Sequence, residues 1–254
     1  MNIEIESIIE IAEAAGQAIM NIYDDPQSDF GIEKKDDNSP LTKADKAAHV
    51  VIEKALVNLS SNIPVLSEEG GLPDYETRKN WTQYWMVDPL DGTKEFIKKN
   101  GEFTVNIALI ENNLPVMGVV HVPAKGITYY AEIGMGSFKR VNGEDTQLFV
   151  RKATENIVAV RSKSHAAPEE EEVLARYNVS DSISVGSSLK FCMVAEGKAD
   201  VYYRHGPTME WDTAAGQAVV MAAGGKVYKG NTEEELFTYT KENLLNSSFL
   251  CLGL

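Results

Sequence analysis

Ile5, Ile8, Ile9, Ala12, Ala15, Ile19 and Ile22 recur at steps of three and four residues. That spacing places them on one face of an amphipathic helix, which Asp24-Asp25-Pro26 ends. The polar run Asp36-Asp37-Asn38-Ser39-Pro40 predicts a loop. Thr42 to Leu59 returns to a helical period, with Ala47, Val50, Val51, Ala55 and Leu56 on the inward side. Strand-like apolar runs follow at 63–66, 84–88, 103–110, 116–122 and 127–132. Short Gly, Asn or Pro turns separate most of them, which predicts an antiparallel meander. Beyond residue 150 strands at 157–161, 183–185, 199–204, 226–228 and 248–252 alternate with helices near 168–177, 187–196 and 212–223. Such alternation predicts an α/β layer. The chain thus divides into an N-terminal α+β part, 1–150, and a C-terminal α/β part, 151–254, with no internal repeat or flexible linker between them.

Within this pattern, carboxylates gather at element ends. The apolar run Tyr84-Trp85-Met86-Val87 leads into Asp88-Pro89-Leu90-Asp91-Gly92-Thr93. Asp-Pro and Asp-Gly predict a turn there, and two acids three residues apart in a turn can face one point. A hairpin turn with solvated Asp side chains is the alternative. Ile63-Pro64-Val65-Leu66 leads into Ser67-Glu68-Glu69-Gly70-Gly71 in the same way. Far downstream, Glu210-Trp211-Asp212-Thr213 opens a small-residue helix with Asp212 at the N-cap position; an Asp there is ordinarily only a cap. These are oxygen donors with no His or Cys beside them, which suits a hard cation such as Mg²⁺.

The Glu-Glu strand end, the Asp-Pro-Leu-Asp-Gly-Thr run and the late Trp-Asp pair together resemble the inositol monophosphatase superfamily of Mg²⁺-dependent, Li⁺-sensitive phosphatases. Three longer segments resemble its branch of bacterial 3′(2′),5′-bisphosphate nucleotidases: Trp85 to Ile110, Gly186 to Gly197 and Trp211 to Gly225. The similarity runs from the first helix to the last strand. It implies the five-layer αβαβα sandwich of the inositol monophosphatase-like (sugar phosphatase) fold, where periodicity alone yields mixed α and β.

Composition bounds the partners. The 254 residues carry a net charge of −14 and no basic run, which argues against binding of a nucleic-acid polymer or an anionic membrane surface. Acidity suits a phosphate-cleaving enzyme only where carboxylates hold cations, since bound ions invert the local field. Two Mg²⁺ ions would neutralise the charges of Glu68, Asp88, Asp91 and Asp212, and a third would make the site positive. Cys192 and Cys251 form no disulfide framework or metal motif. No signal peptide and no apolar run long enough for a membrane span are evident, so a cytoplasmic protein, monomer or homodimer, is expected.

The resemblance assigns roles residue by residue. Glu68, Asp88 and the Leu90 carbonyl match the ligands of a first metal. Asp91 and Asp212 match those of a second, with Asp88 bridging, and Glu69 reaches a third ion through water. Thr93 and Asp45 match the pair that positions the attacking water; Thr42-Lys43-Ala44-Asp45 equally reads as a helix cap, and the two roles are compatible. Gly92 and Thr93 would offer N–H groups to the phosphate. Ser164, His165, Gly186, Ser187, Lys190, Arg204 and Asp212 are the candidates for holding the rest of the substrate. The implied activity is hydrolysis of adenosine 3′,5′-bisphosphate to AMP and phosphate, a reaction of sulfur metabolism. An inositol monophosphatase or sugar bisphosphatase with the same chemistry is the alternative, and a non-catalytic metal and nucleotide sensor a third reading.

Overall fold

A computed structural model of the chain describes residues 3–35, 40–162 and 168–254. Of the loop expected at 36–40, residues 36–39 lie outside the described residues, as do Ser164 and His165, while Pro40 begins a short strand. The isoleucine stripe forms α1 (Ile5–Tyr23), closed by Asp24. A two-stranded ribbon, β1 (Glu33–Lys34) and β2 (Pro40–Leu41), precedes α2 (Lys43–Leu59). The inward face of α2 differs from the expected one: Ala44, Ala48, Ile52 and Leu56 are buried, while Val50 is exposed. An unbroken i+4 series packs as one ridge, and the valine lies a quarter-turn or more off it.

Seven strands form the first sheet: β3 (Val65–Ser67), β4 (Gln83–Asp91), β5 (Thr104–Glu111), β6 (Leu114–Val122), β7 (Ile127–Glu132), β8 (Gly136–Val141) and β9 (Glu144–Leu148), in that spatial order. From β4 onward it is the expected antiparallel meander, while β3 joins β4 in parallel. The apolar pattern does not predict the last two strands. β9 is Glu-Asp-Thr-Gln-Leu, almost all exposed at the sheet edge, so no apolar alternation marks it. The short helices α3 (Tyr75–Arg78) and α4 (Thr93–Ile97) flank β4.

The second sheet holds β10 (Ile157–Ser162), β11 (Val179–Val185), β12 (Val201–Arg204), β13 (Lys226–Lys229) and β14 (Phe249–Leu252), ordered β11-β10-β12-β14-β13. It is mixed: the β10 pairings are parallel, and β14 runs antiparallel to both its neighbours. Helix α5 (Pro168–Arg176) packs on its β11–β12 side. Helices α6 (Leu189–Ala195) and α7 (Ala214–Ala222) lie between the sheets: α6 touches β10, β12 and β14, and α7 touches β5, β6, β7 and β13. With α1 and α2 on the far side of the first sheet, the order is helices, sheet, helices, sheet, helix, which is the five-layer sandwich.

The alternation along β4 assigns its side chains to two cores. Trp85 and Val87 join α1 and α2, while Tyr84 and Met86 join the core around α6 and α7. That second core draws Val160, Tyr202, Val227 and Phe249 from the other sheet, so one apolar body ties both sheets together. Burying each such side chain contributes about 1.5–3 kcal/mol. Gly118 lets α7 lie against β6: a Cβ there would fall 2.6 Å from the Ala215 carbonyl oxygen. The close approach brings the turn before α7, with Asp212, up to the end of β4.

Candidate active site

The Asp88–Asp91 run is a bulge within β4 and not the turn that the Asp-Pro and Asp-Gly pairs suggested. Asp88 pairs with Asn106 and Asp91 with Thr104, so three steps on β4 face two on β5, and one residue is extra. Pro89 removes a ladder donor where the bulge needs none. The Leu90 N–H donates to Asp88 Oδ1 at 3.0 Å, and the Leu90 carbonyl is left to the Thr93 hydroxyl, 3.4 Å away. Gly92, at φ +90°, then reverses the chain into α4; other residues are strained there.

Glu68 leaves the end of β3, and its N–H donates to the Val87 carbonyl at 3.1 Å. Its carboxyl group lies beside that of Asp88. Asp88 is held far above the usual carboxylate range, by burial first and then by the charges of Glu68, Asp91 and Asp212. Asp212 is raised in the same way, by burial and then Asp91, against the opposing bond from the Met209 N–H at 2.9 Å. Glu68 is raised by burial and by Glu69, with Lys35 pulling it back. Carboxylates from three distant parts of the chain therefore share one buried space and repel one another.

Asp212 corrects an expectation: it does not cap α7. A single 3₁₀ turn, Glu210–Asp212, comes first, and Thr213 is the N-cap. The carboxylate of Asp212 accepts from Met209 within that turn.

Asp45 and Thr42 form the reciprocal cap expected of them: Asp45 Oδ2 accepts from the Thr42 N–H at 2.8 Å and from its hydroxyl at 2.5 Å. The other oxygen, Oδ1, lies 3.2 Å from Thr93 Oγ1, which is also 3.4 Å from the Leu90 carbonyl. Burial raises the Asp45 carboxyl, and the bonds from Thr42 oppose it. The cap and the Asp45–Thr93 contact thus coexist.

Gly186, Ser187, Lys190 and Arg204 line one cleft with Asp91, Gly92, Lys94, Ser162, Tyr202 and Asp212. Lys190 is almost wholly buried, and its Nζ donates to the Ser187 carbonyl at 2.6 Å. Burial lowers it to about 8, against the upward pull of Asp91. Arg204 Nη2 reaches the Pro207 carbonyl at 3.3 Å, while its buried Nε and the Ser187 hydroxyl have no protein partner. Unpaired donors of this kind at a cleft wall suit an anionic ligand.

Three residues that the motifs did not single out complete the site. Lys35 Nζ sits 2.7 Å from Glu68 and 2.5 Å from Glu69; no local pattern distinguishes it from other lysines. Ser188 contacts Asp91, and Asn106 contacts Ser188. Ser188 stood inside the Gly186–Gly197 segment and could have been weighed there.

Among the described residues, no three carboxylate, imidazole or thiol groups close round one point as a finished ion cage. Lys35 draws Glu68 and Glu69 to itself, while Ser188 and Met209 hold Asp91 and Asp212. The donor chemistry nonetheless fits a hard cation: buried, all-oxygen and mutually repelling.

The family model of the inositol monophosphatase family matches residues 3–250. The chain is 48% identical over 246 residues to the 3′(2′),5′-bisphosphate nucleotidase CysQ of Salmonella typhimurium, covering 96% of this chain and 98% of that one. The crystal structure of CysQ from Bacteroides thetaiotaomicron is 46% identical, with a TM-score of 0.83 over 97% of this chain and 96% of that one. An IMPase of Thermotoga maritima is 25% identical with a TM-score of 0.76, over 97% and 90% of the two chains. Motifs, layer order and matches agree, and the chain belongs to the inositol monophosphatase family.

Proposed function

We propose that this protein is a Mg²⁺-dependent 3′(2′),5′-bisphosphate nucleotidase that converts adenosine 3′,5′-bisphosphate to AMP and phosphate in the cytoplasm. The observation that carries the reading is a single cleft joining two chemistries. Asp91 and Asp212 line the cleft, with Asp88 and Glu68 against them and with Thr93, the partner of Asp45, close to Asp91 in the chain. Its wall is Lys190 and Arg204. Near-identical length and 48% identity to a 3′(2′),5′-bisphosphate nucleotidase support the substrate class. Two buried free thiols agree with a reducing compartment, and no described helix is long and apolar enough to cross a membrane.

Glu68, Asp88, Asp91, Asp212 and the Leu90 carbonyl would hold two Mg²⁺ ions, with Glu69 toward a third. Bound there, the ions supply charge neutralisation for the phosphate, a more acidic water and stabilisation of the leaving oxygen. The chain's own residues do the rest. Thr93 donates its hydroxyl proton to Asp45, so its oxygen is left to accept from the attacking water and aim it. Asp45, already raised by burial, receives the proton that the water gives up. Gly92 and Thr93 present the first N–H groups of α4 to the phosphate being cleaved. Lys190 and Arg204 hold the phosphate that stays, and Gly186 and Ser187 border the ribose.

Phosphate release from adenosine 3′,5′-bisphosphate, measured with and without Mg²⁺ and against inositol 1-phosphate, tests this. The expected result is Mg²⁺-dependent release with kcat/KM at least tenfold higher for the nucleotide, and inhibition by millimolar Li⁺. No Mg²⁺-dependent turnover of the nucleotide, or a tenfold preference for inositol 1-phosphate, overturns it.

A further inference from the structure

Ser188 stands at the N-cap of α6, the position at which a serine hydroxyl ordinarily accepts from the helix's own N–H groups. Here it makes no such bond. The hydroxyl is 2.8 Å from Asp91 Oδ2, 2.8 Å from the Asp212 carbonyl oxygen and 2.9 Å from Asn106 Nδ2. The residue is 2% exposed and Asn106 is 1% exposed, so water does not compete for these contacts.

A serine hydroxyl has one proton. Asn106 Nδ2 is a donor and occupies a lone pair of the hydroxyl. The proton goes to the charged acceptor, Asp91, in preference to the neutral Asp212 carbonyl. The chain Asn106 to Ser188 to Asp91 is thereby directional, and it spans three elements. Asn106 sits on β5 opposite Asp88, Ser188 opens α6, and Asp91 ends β4. The helix-cap bond is given up to build it.

We propose that Ser188, oriented by Asn106, is a positioning residue that fixes the Asp91 carboxylate for cation binding. The inference rests on the reading of Asp91 as a metal ligand. It also reassigns part of the Gly186–Gly197 segment: Ser187 and Lys190 face the cleft, whereas Ser188 faces the carboxylates. Partners of this kind restrict a ligand to one orientation, and their loss weakens metal binding about 10–100-fold.

The test uses the full chain and Mn²⁺ as the probe, with free ion counted by electron paramagnetic resonance. Ser188→Ala is expected to weaken Mn²⁺ binding about tenfold while the nucleotide KM at saturating Mg²⁺ stays within twofold of wild type. Asn106→Ala is expected to weaken Mn²⁺ binding similarly, and the double variant no further than the weaker single one, because both act through one bond to Asp91. Ser188→Thr retains the hydroxyl and is expected to restore binding. Unchanged Mn²⁺ affinity in Ser188→Ala overturns the inference alone, as does a raised KM with Mn²⁺ affinity intact. Failure of the wild-type chain to bind Mn²⁺ overturns the reading of Asp91 and the inference with it. Equal loss of Mn²⁺ binding in Ser188→Thr and Ser188→Ala overturns the hydroxyl's role.

Discussion

Glu210 and Asp212 are two residues apart in one 3₁₀ turn, the first buried and the second partly so, yet they serve opposite ends. Glu210 accepts from the N–H groups of Thr240 and Lys241 at 3.1 and 3.0 Å, and its Oε1 lies 2.6 Å from Lys241 Nζ. Asp200 is satisfied in the same manner by Arg151 and the Val158 N–H. These carboxylates staple loops to the core. Asp212, by contrast, has one backbone donor and faces Asp91 and Glu68, with Asp88 also close by. Burial is common to both groups; what differs is whether the protein supplies the counter-charge. Where it does, the acid is structural. Where acids face acids, stabilisation must come from a bound cation.

That contrast predicts substitutions of opposite sign. Asp91→Asn removes a ligand and also a repulsion. Turnover should fall about 10³-fold, about 4 kcal/mol of transition-state stabilisation, while the metal-free Tm stays at or above the wild-type value. A lowered metal-free Tm would place Asp91 with the structural acids. Glu210→Ala does the reverse. Leaving its partners without an acceptor should cost about 3–5 kcal/mol in urea unfolding, with Mn²⁺ affinity nearly unchanged in the folded fraction.

His121 sets a baseline for pH dependence away from the cleft. Buried under α1, with Thr128 Oγ1 2.9 Å from its Nδ1, its imidazole is lowered to about 4, chiefly by burial. Between pH 6.5 and 4 the unfolded chain takes up a proton that the folded one refuses. Stability from this group is therefore full above pH 6.5 and falls as the pH drops toward 4, by about 3 kcal/mol. Urea midpoints at pH 7 and pH 4.5 should show the loss, and His121→Leu should shrink the difference. An unaltered pH slope in that variant would assign the acid sensitivity to the carboxylate cluster instead.

Smaller effects sharpen the boundary of the site. Thr93→Ala should lower kcat about 10²-fold with the nucleotide KM little changed; a rise in KM alone would make Thr93 a binding contact. Lys35 is the one cation that the chain brings to Glu68 and Glu69 among the described residues. Lys35→Met should tighten Mn²⁺ binding about fivefold, on the order of 1 kcal/mol. Weaker binding would show that Lys35 organises the acids and does not compete for them.

Much of this was legible in the chain because local rules agreed with the fold. The α1 stripe, the β5–β7 alternation and the capping pattern at Thr42 each signal themselves over a few residues. The acids at the ends of β3 and β4 were legible for the same reason. What escaped was set by tertiary partners. The Asp88–Asp91 bulge depends on register against β5, and the displaced cap at Asp212 depends on a 3₁₀ turn wedged between Met209 and α7. The exposed strand β9 carries no buried face to read. Lys35 and Asn106 reach the site only through folding, since neither spacing nor residue type marks them. Ser188 imitates a helix cap in sequence and acts otherwise in space.

The central claim is that Glu68, Asp88, Asp91 and Asp212 hold cations in common. Anomalous diffraction from crystals grown with Mn²⁺ measures this directly. The account predicts peaks about 2.0–2.4 Å from oxygens of these four carboxylates, with none at Glu210 or Asp200. Peaks confined to other acids, or none at saturating Mn²⁺, would contradict it.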